Sequence, residues 1–280
     1  MGSITLIFKT MKKNILLFIC FITIVSCKND SLQEGTKSVI YFNGDIITMK
    51  GNSPVYAEAL VVKNKKIQFV GSSEEAMKIA GIGHQMINLE GNTLLPGFID
   101  GHAHFASFSA QAIGAKILPP PDAGAKDIAT LISILKTWNT PENRALTGWI
   151  FGMGFDDSVL EEKRFPTKHD LDQVSTEFPI MIIHISGHFA VVNSKGLELL
   201  TINSETKNPE GGIIRRENGS EPNGVLEELA AIPYMLKVLN PTTKEAADHF
   251  FEAGQEMALS FGYTTAQEGR AMENHEMLVN

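Results

Sequence analysis

Leu95-Pro96-Gly97-Phe98-Ile99-Asp100-Gly101-His102-Ala103-His104-Phe105 is the stretch on which the reading of this 280-residue chain turns. It opens as an apolar run, and the pattern predicts a buried strand starting near Leu94. Successive side chains of a strand alternate faces, so His102 and His104 would project from one side with Asp100 beside them. Two imidazoles placed in this way can share one divalent metal, typically zinc at about 2.0–2.1 Å per nitrogen. Small Gly101 and Ala103 suit close packing on the opposite face. Asp100 could orient a ligating imidazole or contact substrate. A bare His-x-His pair is also common by chance, so the surrounding chain has to decide.

Upstream, residues 38–95 read as short strands joined by turns, a small β-sandwich domain. Residues 39–42 (VIYF) and 46–49 (IITM) flank Asn43-Gly44-Asp45, which is a hairpin signal. Residues 59–62 (ALVV) and 67–70 (IQFV) flank Lys63-Asn64-Lys65-Lys66 in the same way. Ser73 is expected to cap a short helix reaching Ala80.

Downstream, strands and helices alternate, the signature of βα units. Residues 126–138 (KDIATLISILKTW) form an amphipathic pattern with Ile128, Leu131, Ile132 and Leu135 on one face. Residues 149–155 are a Gly-rich strand, and 179–185 (PIMIIHI) a continuous apolar strand buried on both sides. The clearest helix spans 242–261, with Thr242 and Glu245 as a capping box. Its apolar stripe contains Gly254, which suggests close packing. Residues 263–267 read as the next strand.

These segments resemble the amidohydrolase superfamily. Its first barrel strand carries the same Pro-Gly-Phe-(Ile/Val)-Asp-x-His-x-His run directly after a small β-sandwich. The resemblance narrows to amidohydrolase family 3, the branch with the N-substituted formamide deformylases. Gly152-Met153-Gly154-Phe155-Asp156, Phe165-Pro166-Thr167 with Asp170-Leu171-Asp172, and Ser186-Gly187-His188 with Val192-Asn193-Ser194 match its motifs in order. Asn223-Gly224-Val225-Leu226-Glu227 and Gly262-Tyr263-Thr264-Thr265 follow. The implied fold is α/β: a β-sandwich over residues 38–95, then the N-terminal part of a metal-dependent-hydrolase (β/α)8 barrel of TIM type over 96–280. An intact barrel has eight such strands. The family's carboxylated Lys, two further His ligands and Asp general base have no counterpart before Asn280, so the barrel reads as truncated and the base is expected beyond that residue.

The resemblance implies hydrolysis of an amide or other non-peptide C–N bond in a small molecule, with one or two divalent ions, zinc by donor type, at His102 and His104. His188 follows a buried strand and reads as a substrate contact or a support for a metal ligand on one side, and as a packing residue on the other. His184 reads as a satisfied core histidine, Asp156 and Asp157 as residues that line the cleft or, in preference, cap a helix, and His84, His169, His249 and His275 as surface residues. Two rival readings stand beside this one: a catalytically inert lipoprotein fragment with a binding role, and a metal-dependent esterase or lactonase.

The N-terminus has a separate purpose. Met11-Lys12-Lys13 precedes an apolar run over 15–25 that is shorter than the roughly 20 residues a spanning helix needs. It has the dimensions of a signal-peptide core. Ile24-Val25-Ser26-Cys27 resembles a bacterial lipobox, the competing reading being an ordinary secretory signal with a chance cysteine. Residues 1–26 are therefore expected as a lipoprotein signal, Cys27 as the lipid-bearing residue, and 27–37 as a tether holding the protein to a membrane of the bacterial envelope. Removing that signal takes away Cys20, and Cys27 is then the sole cysteine, which excludes a disulfide framework or a cysteine-built metal site. The formal net charge of −8, with no basic block in the folded part, excludes nucleic acid as a partner.

Overall fold

The computed structural model describes residues 37–241 and 243–269. It divides into two compact units, with the boundary between Pro96 and Gly97. Cys27 and the signal segment lie outside the described residues, as do Thr242 and His275. No helix among the described residues is long and apolar enough to cross a membrane.

The first unit contains β1 (Val39–Ile47), β2 (Tyr56–Lys63), β3 (Lys66–Gly71), α1 (Ser73–Ala80), β4 (Gln85–Asn88) and β5 (Thr93–Leu94). They form one five-stranded sheet ordered β3-β2-β1-β4, with β5 also paired to β1. Among the described residues this is a single sheet covered by a helix, where two facing sheets were expected. Strand periodicity fixes which residues alternate but leaves the number of layers open. Here the small Ala76 and Ala80 of α1 pack over Ile40, Ala59 and Val61 and close that face.

The hairpin expected at Asn43-Gly44-Asp45 is absent. β1 runs straight through and pairs with β2 on both sides of a bulge between Phe42 and Ile46. Asn43 takes the left-handed backbone (φ 59°) that a hairpin would also have used, so the residue signal is shared by turn and bulge. At Gly44 a Cβ would collide with the Asn92 carbonyl and Leu89, which requires glycine there. The second expected hairpin forms: Asn64 and Lys65 both adopt positive φ between β2 and β3. Helix α1 is capped by Ser72, one residue before the expected Ser73, its Oγ accepting the Glu75 N–H.

The second unit contains β6 (Phe98–Ile99), α2 (Phe105–Ile113), β7 (Ala115–Lys116), α3 (Ile128–Trp138), α4 (Pro141–Arg144), β8 (Ile150–Phe155), α5 (Lys168–Asp172), β9 (Ile180–His184) and β10 (Phe189–Val192). Then come α6 (Ser194–Leu199), β11 (Gly212–Glu217), β12 (Glu221–Glu228), α7 (Ile232–Leu239), α8 (Lys244–Ser260) and β13 (Tyr263–Thr265). Six strands join in the order β11-β12-β10-β9-β8-β7. Only β7, β8 and β9 run parallel, linked by helical crossovers. The links from β9 to β10 and from β11 to β12 are too short for a crossover, so those pairs are antiparallel.

Both faces of this sheet are buried. Ile150, Ile180 and Ile182 meet Ile128, Leu131, Ile132 and Leu135 of α3, the stripe read from the sequence. Phe151, Met181 and Ile183 point the other way, toward Ala110, Met235, Val238 and Phe250 of α2, α7 and α8. That two-sided burial is why the 179–185 run is continuously apolar. Gly254 lets α8 lie against α2, since a Cβ would overlap Ser109. The N-cap of α8 is Thr243, one residue past the expected Thr242, and its Oγ1 accepts the Ala246 N–H at 3.2 Å.

β6 departs most from expectation. The buried strand foreseen from Leu94 to Phe105 is two residues long, and its Ile99 is 74% exposed. Among the described residues it pairs in parallel only with β13, and no further strand covers the outer surface of this two-stranded ladder.

Candidate functional site

His102 and His104 lie just past β6, at its C-terminal end. His104 is the N-cap of α2, so the chain has already left the strand and alternation is not what brings the rings together. The turn does so: the imidazole centroids are 5.7 Å apart at an interplanar angle of 77°. Asp100 is close by, but its Oδ1 accepts the backbone N–H of His102 at 3.0 Å. Its carboxylate fixes the loop that carries both rings.

Glu268, unremarked in the sequence, completes this corner. It sits three residues beyond β13, its side chain is 10% exposed, and its Oε1 is 3.3 Å from His104 Nδ1. Its Oε2 accepts the Ala106 N–H at 2.9 Å. If Nδ1 donates to this carboxylate, Nε2 of His104 is left unprotonated, the form that binds a cation. The signal that could have found it is a carboxylate following a short strand, two positions past a Thr-Ala pair; it is legible only once β13 is known to pair with β6.

A cavity of about 400 Å³ opens beside these residues. His104, Glu268, Ser186 and His188 give it a polar wall, and Ile232, Met235, Leu236 and Leu239 of α7 an apolar one. His188 is thus brought to the same cavity as His104. Its Nδ1 is 2.9 Å from Glu228 Oε2.

A second group lies at the ends of β8 and β9. The two strands pair with Phe155 opposite His184, so Asp156 and Asp157 come next to that imidazole. Asp156 Oδ1 accepts the Ser158 N–H at 2.9 Å and hydroxyl at 2.6 Å, capping a turn instead of a helix. The Ser158 hydroxyl holds the Asp156 carboxyl below the usual range, assisted by the Ser158 N–H against the opposing effect of burial. His184 Nδ1 contacts Ser186, but Nε2 is buried with no hydrogen-bond partner among the described residues. The expectation of a satisfied core histidine fails there, because Nε2 faces carboxylates across a gap instead of a carbonyl.

Several of the ordered sequence motifs turn out to be scaffold. Asp170 accepts from the Thr167 N–H at 2.7 Å and from Arg164 at 2.7 and 3.0 Å. Asp172 accepts the Ser194 N–H and hydroxyl at 3.0 and 2.6 Å. Asn193, fully buried, ties β9 to α6 through its Oδ1, which accepts the Ile180 and Gly196 N–H groups, while its Nδ2 donates to the Ser175 and Phe178 carbonyls. Of the remaining histidines, His169 pairs with Glu217, His84 contacts the Gly81 carbonyl and His249 is exposed.

A model of the amidohydrolase family matches residues 85–277. N-substituted formamide deformylase of Arthrobacter pascens is 30% identical over 198 residues, covering 70% of this chain and 35% of that protein. Putative amidohydrolase YtcJ of Bacillus subtilis (strain 168) is 27% identical over 215 residues, covering 76% and 39%. Among solved structures, an uncharacterized metal-dependent hydrolase from Pyrococcus horikoshii OT3 superposes with a TM-score of 0.55 at 27% identity, covering 81% of this chain and 42% of that one. The chain spans less than half the length of each of these three proteins.

Proposed function

The chain belongs to the amidohydrolase family, and on that premise we propose that it carries part of a metal-dependent hydrolase site cleaving an amide or other non-peptide C–N bond in a small molecule. The observation that carries this reading is that His102 and His104 lie ring to ring, with Glu268 against His104 where that imidazole lines a cavity. Two imidazoles and an orienting carboxylate are donors suited to a divalent cation, zinc above all. When bound, such an ion polarises a carbonyl and lowers the pKa of water toward ~7.

The chain's own residues have separable parts in this. Asp100 pins the His102 backbone, and Glu268 sets the tautomer of His104. His188, steadied by Glu228, can hydrogen-bond a substrate carbonyl or leaving group. The α7 wall receives an apolar substituent and keeps bulk water from that end of the cavity. Strands β7, β8 and β9 serve as part of a (β/α)8 barrel, and the first-unit sheet as part of a β-sandwich.

The test is hydrolysis of simple N-acyl amides and matching esters with added zinc, run on the 280 residues and on His102→Ala/His104→Ala. Two imidazoles fall short of the three protein ligands usual for catalytic zinc. We expect no turnover above background by the 280 residues alone. Turnover that disappears in the double variant would show that they suffice and overturn the partial-site reading. A preference for esters would shift the substrate class.

Cys27 is proposed as the lipid-bearing residue on the strength of the Ile24-Val25-Ser26-Cys27 run. Labelled palmitate should enter the wild type and not Cys27→Ala; an unlabelled wild type would show the run to be accidental.

A further inference from the structure

We infer that Asp156, Asp157 and His184 form a second cation site, one that takes a divalent ion of the zinc class and ties the end of β8 to the end of β9. Each residue offers one ligand atom, and the three atoms lie within 4.8 Å of one another. His184 Nε2 is 3.3 Å from Asp157 Oδ1 and 3.8 Å from Asp156 Oδ1. Ligand bonds of about 2.0–2.2 Å meeting at a tetrahedral angle set ligand atoms roughly 3.3–3.6 Å apart, and the two spacings from His184 Nε2 to the carboxylates match this to within a few tenths of an ångström.

The orphaned nitrogen makes this more than a cluster of acids. Nε2 is buried and makes no hydrogen bond among the described residues, with Asp157 Oδ1 at 3.3 Å and Asp156 Oδ1 at 3.8 Å. Leaving such an atom unsatisfied carries the desolvation penalty of a buried polar group with no hydrogen bond to repay it. A cation seated between the three groups removes that cost and offsets two neighbouring negative charges.

The surroundings have the features of a ligating histidine. Phe155, Phe165 and Phe189 surround the ring with centroids at 5.2–5.7 Å, which locks its rotation and lowers the local dielectric. On the far side Nδ1 accepts the Ser186 N–H at 3.1 Å and lies 2.8 Å from Ser186 Oγ; when Nε2 ligates, the proton that moves to Nδ1 goes to that oxygen and the backbone contact is released. The His184 side chain is 12% exposed, whereas those of Asp156 and Asp157 are 24% and 30% exposed, so the carboxylates offer the route in. Arg215, stacked on Phe165 and Phe189, is paired with Glu227 and adds little net repulsion. Because the ligands come from paired parallel strands, the ion would act as a clamp across them.

The test uses zinc alone as probe, with the 280-residue chain stripped by a chelator and carrying His102→Ala/His104→Ala so that the other pair is silent. Competition against a chromophoric chelator should show one equivalent bound. Adding Asp157→Asn or His184→Gln should weaken it by at least about tenfold, with far-UV circular dichroism unchanged. On zinc addition the ¹⁵N shifts of His184 should report proton occupancy moving from Nε2 to Nδ1. Absence of zinc uptake, uptake indifferent to both substitutions, or an unchanged His184 tautomer at saturating zinc would each overturn the assignment.

Discussion

Asn193→Ala should unfold much of the second unit's stability reserve. The side chain is fully buried, its Oδ1 accepting the Ile180 N–H at 2.9 Å and the Gly196 N–H at 2.8 Å. Its Nδ2 donates to the carbonyls of Ser175 at 2.8 Å and Phe178 at 3.1 Å. Four hydrogen bonds at about 0.5–1.5 kcal/mol each give a loss of roughly 2–6 kcal/mol, and the stranded partners have no other polar neighbour supplied by alanine. Against a typical total of about 5–15 kcal/mol that is a large fraction. Asn193→Asp separates geometry from size: it keeps the two acceptor contacts but turns a carboxylate toward two carbonyls, and should cost at least as much. Urea unfolding followed by fluorescence of the buried Trp149 reads the loss as a shift in midpoint. A change below about 1 kcal/mol for Asn193→Ala would refute the reasoning that this residue is a fully used connector.

Leu131→Ala, at a fully buried position of α3, should destabilise by about 2–5 kcal/mol in the same urea assay. At Gly254, Leu should cost about 1–3 kcal/mol because its side chain meets Ser109, despite leucine's better helix propensity. Burial alone would push the Asp170 carboxyl up, but hydrogen bonds from Arg164 and Thr167 outweigh it and hold the group below its ordinary range. The folded state therefore binds this proton less readily than the unfolded state. The stabilisation is present above about pH 4 and is lost as pH falls through the folded value. Thermal melts between about pH 5 and 2 should show that acid limb flattened in Asp170→Asn.

The sequence exposed the elements whose patterns are set locally. The α3 stripe, the two-faced 179–185 strand and the Asn64-Lys65 turn depend on residues next to one another in the chain, and each appears where its pattern placed it. Asn43-Gly44 was ambiguous because a positive φ serves a bulge as well as a hairpin, and the decision came from Leu89 and Asn92 far along the chain. Helix caps slipped by one residue, to Ser72 and Thr243, since adjacent hydroxyls compete for the same N–H groups. His102 and His104 were recognisable from their flanks, but Glu268 joins them only through the β6–β13 pairing, a contact between segments more than 160 residues apart. His184 read as core because its strand is apolar; the register that sets it beside Asp156 and Asp157 is a tertiary fact.

Zinc stoichiometry of the 280-residue chain and its His102→Ala/His104→Ala variant, by equilibrium dialysis and elemental analysis, bears most directly on the metal centre. Wild type should bind two equivalents, the weaker of them at the exposed His102–His104 corner, and the double variant should lose that weaker one alone. Equal stoichiometry and affinity in the two proteins would contradict the assignment of His102 and His104 as metal ligands.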